Sequence, residues 1–79
     1  MYYVKFDGLY NHGICFFNEK ENAVELAKEI FIEDIFSEYD GLPLNDKQIL
    51  KLYQCDLAAI EHGSYFNDVL EIQKIETED

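Results

Sequence analysis

Residues 2–7 alternate without a break, with Tyr2, Val4 and Phe6 on one side and Tyr3, Lys5 and Asp7 on the other. A period of two predicts a strand with one buried face. Asp7-Gly8 and Asn11-His12-Gly13 then supply turn chemistry. Ile14-Cys15-Phe16-Phe17 is a short run of β-forming residues. Together these read as an antiparallel hairpin whose loop is longer than two residues.

The period then changes. Asn18-Glu19-Lys20-Glu21 has the spacing of a capping box and predicts a helix from 19. At about 100° per residue, Ala23, Val24, Ala27, Ile30, Phe31 and Ile35 share one face to about residue 36. Asp34 falls inside that apolar arc and is out of place there. Residues 37–43 form a connector. Asn45 and Gln48 make a second capping box, with Leu44 and Ile49 spaced for a hydrophobic staple. Ile49, Leu50, Tyr53, Leu57 and Ile60 follow on one face, and His62-Gly63 ends the helix with a left-handed cap. A strand over 49–55 is the competing reading, and the two caps favour the helix.

From Asp68 to Glu76 the pattern alternates imperfectly, with Leu70 and Ile72 on one side. It predicts a third strand, broken at Ile75 by a bulge, while Tyr65 and Phe66 seal the end of the core. The expected fold is α+β: β-β-α-α-β, a three-stranded antiparallel sheet with two helices packed on one face. The 79 residues form a single domain, and the acidic tail 76–79 should fray.

Composition narrows the function. The chain has 17 acidic residues against 6 lysines, no arginine, and a net charge of −11. Phosphate neutralisation needs clustered Lys and Arg, so direct binding of nucleic acid or of an anionic membrane is disfavoured. No apolar run approaches a membrane span, and Met1-Tyr2-Tyr3-Val4-Lys5 has no signal-peptide pattern, which points to a cytoplasmic protein. Residues with AT-rich codons (Phe, Tyr, Ile, Asn, Lys) far outnumber Gly, Ala, Arg and Pro, pointing to an AT-rich bacterial or phage genome.

Candidate chemistry is sparse. Neither a nucleophile elbow nor a phosphate-binding glycine loop is present. His12, Cys15, Cys55 and His62 supply zinc-type donors, but only the first pair has motif-like spacing. Two reduced core thiols and two turn histidines account for them, with no cofactor, metal or catalytic residue expected. A small Cys/His enzyme or metal protein ranks last among the readings.

The most informative pattern is Glu21, Glu25, Glu29 and Glu33, spaced by four on the helix face away from the core. Like charges at this spacing weaken a helix by roughly 0.2–0.5 kcal/mol per pair, which Lys28 offsets in part through Glu25. The stripe sets one carboxylate about every 6 Å along a rigid rod. Ile32 and Phe36 project on the same side, with Glu38, Tyr39 and Asp40 just beyond. An acidic face is often no more than a solvated one. Apolar anchors beside the charge suit a protein contact instead. The candidate partner-binding residues are therefore Glu21, Glu25, Glu29, Glu33, Phe36, Glu38, Tyr39 and Asp40.

In size, charge and composition the chain resembles the small acidic anti-defence proteins of phages and mobile elements, anti-CRISPR proteins among them. That resemblance implies a non-enzymatic inhibitor whose carboxylates meet the Lys and Arg of a basic nucleic-acid-handling protein, a CRISPR effector or other defence nuclease, in the cytoplasm of a bacterial host. The alternative is a self-associating structural or regulatory module. In it the aromatics Tyr3, Tyr10, Phe17 and Tyr65 matter more than the acids, and Tyr3 and Phe17 on the outer sheet face form a homodimer surface.

Overall fold

The structure is a computed structural model that describes residues 1–8 and 12–75, without the side chain of Asp40. The tip of the first turn and the tail 76–79 lie outside the described residues. The elements are β1 (Tyr2–Asp7), β2 (His12–Phe17), α1 (Lys20–Ile30), a π turn (Phe31–Ile35), a 3₁₀ turn (Phe36–Gly41), α2 (Asp46–His62), β3 (Tyr65–Phe66) and β4 (Leu70–Lys74). The class is α+β as expected, but the sheet has four strands, in the order β2-β1-β4-β3, all antiparallel. The additional strand is the pair Tyr65–Phe66, whose two residues lie opposite Ile72 and Glu71. Tyr65 is buried and closes the core, whereas Phe66 is 70 % exposed on the other face.

The register sorts the side chains. Val4 lies opposite Cys15 and Ile72, and Phe6 opposite Gly13 and Leu70. These residues share the helix-facing side, and Val4, Leu70 and Ile72 are core residues. Phe17 lies opposite Tyr2 and packs against that core. It is therefore not on the outer face. Ile14 and Phe16 are there with Tyr3, and both are at least half exposed. The four-residue apolar run carries no alternation of its own, so only pairing with β1 decides which phenylalanine turns inward.

α1 lies across β1, β4 and β2 through Ala23, Ala27 and Ile30, while α2 packs on α1 and meets the sheet at β3. α2 is the better-signalled helix. The Asn45–Gln48 capping box forms in both directions, and Gly63 caps the far end with φ 86°. A Cβ on Gly63 would also sit 3.2 Å from both Lys20 and Tyr2. α1 departs from expectation at both ends. Its N-cap is Glu19 with no side-chain hydrogen bond, so the Asn18 box does not form. Its α geometry stops at Ile30. Beyond that, the Phe36 N–H donates to the Phe31 carbonyl five residues back, the mark of a π turn.

That wider turn explains Asp34. It is 6 % exposed, and its carboxylate packs on Gly8, where a Cβ would lie 2.2 Å from Oδ2. Phe31, fully buried at the junction, meets the rings of Tyr39, Tyr53 and Tyr65 at 6.2, 5.7 and 6.3 Å. One side chain thus joins the 3₁₀ turn, α2 and β3. Truncating such a ring costs about 3–5 kcal/mol, comparable with the whole stability of a domain this small. Phe31→Ala is therefore expected to leave the chain largely unfolded in urea titrations at 25 °C. Asn45→Ala, which removes one cap, should cost only about 1 kcal/mol.

Candidate functional site

α1 turns its outer side to solvent between residues 21 and 29. Glu21, Glu25 and Glu29 are exposed there and form no ion pair among the described residues. Lys28 does not offset them through Glu25. It reaches across to Glu61 on α2 at 2.9 Å, tying the two helices together. The acid row on α1 is left without a cation of its own, which raises its negative potential.

The row does not continue straight. Glu33 is exposed but lies within the π turn, whose extra width rotates it out of the 3.6-residue phase. Ser37 donates a hydrogen bond from Oγ to the Glu33 carbonyl at 2.9 Å, fixing the passage into the 3₁₀ turn. Glu38 is exposed, and Phe36 is partly so, its ring 4.9 Å from that of Tyr53. Tyr39 is in the core, 6 % exposed, and offers no surface to a partner in this arrangement. Asp40's side chain is not among those described. The residues brought together on one surface are thus Glu21, Glu25 and Glu29, with Glu33, Phe36 and Glu38 following around the turn.

Tyr39 has a different role. Its hydroxyl donates to Oδ2 of Asp56 on α2. Asp56 also faces Tyr65. Burial first, then the hydrogen bond and charge of Asp56, raise the Tyr39 phenol well above its ordinary value. Burial, then the charge of Asp56, pushes Tyr65 up to about 12. On the outer sheet face Tyr3 donates to Glu71, and that bond raises its pKa also.

The Cys and His residues do not converge. His12 and Cys15 are three apart on a strand and so point to opposite faces. Cys15 is half-buried and Cys55 exposed, so the second is not the core thiol expected, and both are free. Among the described residues no group of three His, Cys, Asp or Glu is placed to hold a metal ion. No helix among them is long and apolar enough to cross a membrane.

Pattern reasoning missed the edge formed by β2. The strand contains no charged residue, although the chain carries 17 acids. Beside it, Phe17, Asn22, Glu25, Leu26 and Glu29 line an open groove between strand and helix. The signal was available as the uncharged interval 8–17, but its meaning depends on β2 being an edge strand. No known family matches the chain, and neither a curated protein nor a solved structure does.

The tyrosine shifts fix a pH dependence. A phenol whose pKa is higher in the folded state stabilises the fold below its unfolded value. That stabilisation is lost as pH rises through the folded value. Stability should therefore fall as pH climbs from about 10 towards 12. Tyrosinate absorbance is expected to develop at higher pH in the native protein than in the urea-unfolded chain. Asp56→Asn should narrow that lag.

Proposed function

We propose that the protein is a non-enzymatic inhibitor that binds a basic nucleic-acid-handling protein, with its α1 acid row occupying a surface that otherwise holds phosphate. The observation that carries this reading is the row Glu21, Glu25 and Glu29, exposed and unpaired on one rigid helix in a chain of net charge −11. About 6 Å separates successive carboxylates along the helix axis. Lysines and arginines that grip a phosphate backbone can grip such a row, and long-range attraction speeds the encounter. Phe36, beside Glu33 and Glu38, supplies the apolar contact that a purely ionic surface lacks. A bacterial CRISPR effector or another defence nuclease has the required basic surface.

A second reading rests on a different observation. The outer sheet face carries Ile14, Phe16 and Phe66, all at least half exposed, with no helix among the described residues over it. This suits a self-associating module, with Phe16 taking the place expected for Phe17. Tyr65 is buried and contributes nothing to that surface, and Tyr10 lies outside the described residues.

The two readings part on salt and on nucleic acid. An inhibitor of the first kind should capture a basic nucleic-acid-binding protein from a bacterial lysate. It should release that protein in a salt gradient, lose it to competing DNA or RNA, and fail to capture it as the Glu25→Lys/Glu29→Lys variant. Capture that is indifferent to salt, to nucleic acid and to the double reversal would overturn the charge-mimic reading. A mass in sedimentation equilibrium that rises with concentration would favour the self-associating module.

A further inference from the structure

The groups at the free edge of β2 can be assigned from the pairing. The Asp7 N–H donates to the Val69 carbonyl at 2.7 Å, and the Ile75 N–H to the Met1 carbonyl at 2.9 Å. Odd-numbered residues of β1 therefore turn their backbone groups towards β4, and even-numbered ones towards β2. Tyr2, Val4 and Phe6 bond to their partners Phe17, Cys15 and Gly13. Ile14 and Phe16 thus direct their N–H and C=O away from the sheet, along an edge that no strand among the described residues covers.

Edge strands are usually blunted by lysine, proline or an inward charge. His12–Phe17 has none of these. The opposite edge, β3, is only two residues long and is a poor template. The two sides of the β2 edge differ in chemistry. The outer side carries the exposed side chains of Ile14 and Phe16. The helix side opens on the groove in which Glu25 and Glu29 stand over Phe17 and Leu26.

We propose that β2 accepts an extended segment of the partner as a fifth strand, and that this segment alternates basic with apolar residues. The proposal rests on the reading above for the sign of the partner's charge. Side chains of an added strand alternate between the two faces. Those on the outer face pack on Ile14 and Phe16. Those on the helix face lay their aliphatic stems over Phe17 and Leu26 and bring their cationic heads to Glu25 and Glu29. Main-chain bonds to Ile14 and Phe16 give affinity, and the alternation gives specificity. A second copy of this chain fits less well. Pairing β2 with β2 would bring two sets of Glu25 and Glu29 to one edge in an assembly of two −11 chains.

The test uses the whole protein and a synthetic peptide of alternating Lys and Val, of strand length. A control peptide has the same sequence with its edge-facing amides N-methylated. The alternating peptide is expected to bind and to slow hydrogen exchange at the Ile14 and Phe16 amides at least tenfold. The methylated control, and the alternating peptide against the Glu25→Lys/Glu29→Lys variant, should bind at least tenfold more weakly. Ile14→Pro removes an outward N–H and no bond to β1, and should weaken binding similarly if its melting curve remains cooperative. The exchange measurement on the unaltered protein does not depend on that variant folding. Binding without protection of Ile14 and Phe16, or equal binding of the methylated peptide, overturns the added strand and leaves ionic docking on α1 standing. Protection that persists unchanged in the double reversal and at high salt overturns the basic partner, and with it the reading above. Protection in the free protein that grows with concentration assigns the edge to a second copy and overturns the proposal.

Discussion

The buried ring of Phe31 is the point on which the rest of the fold turns. It sits where α1 gives way to the π turn and touches tyrosines from the 3₁₀ turn, α2 and β3. A straight helix presents one apolar stripe, and the α1 stripe is already taken up by the sheet through Ala23, Ala27 and Ile30. Wrapping the connector back onto α2 requires a change of phase. The π turn provides it, swinging Phe36 onto Tyr53 and Asp34 onto Gly8. In a protein with no tryptophan, tyrosine rings pack around Phe31 at this junction. The hydroxyls that come with those tyrosines need partners. Asp56 provides one for Tyr39, so the buried aromatic cluster and the polar residue on α2 belong to one arrangement.

How much of this was legible follows from which signals were local. The limits of α2 were readable because a capping box and a left-handed glycine are properties of a few adjacent residues. β1 was readable from its alternation. The number of strands was not, because β3 is two residues long and exists only through its pairing with β4. The facing of Phe16 and Phe17 was equally hidden, since register is a relation between strands. At the start of α1, Asn18 and Glu21 had the right spacing but did not form the box. The chain leaves β2 at Phe17, and the first turn runs from Glu19 with the Lys20 side chain lying beside Gly63. Asp34 was a true local signal. A carboxylate inside an apolar arc marked the place where regular α geometry ends.

The acid row was legible as a pattern, and its extent was not. A spacing of four continues indefinitely on paper, but the π turn interrupts it after Glu29. The apolar anchor expected in Tyr39 was drawn into the core, because aromatic residues next to a helix break serve packing as readily as recognition. What remains on the surface is shorter and more defined: three glutamates on α1, one flank of which borders an uncharged strand edge.

That juxtaposition bears on why so small a protein keeps an open edge at all. An uncovered apolar strand is a standing invitation to pair with a copy of itself. Here every copy carries −11, and Glu25 and Glu29 line the groove beside the edge. Repulsion between copies falls with salt but acts over about 8 Å at physiological ionic strength, wider than the roughly 4.8 Å between paired strands. The same charges that keep two copies apart attract a basic chain. On the proposal above, the acid row is a filter on the edge: it opposes pairing with like-charged copies and draws cationic segments towards it. Removing the charge while leaving the strand intact should convert a selective edge into a self-associating one. The Glu25→Gln/Glu29→Gln variant, which loses these charges without reversing them, is accordingly expected to sediment with a larger apparent mass than the parent protein.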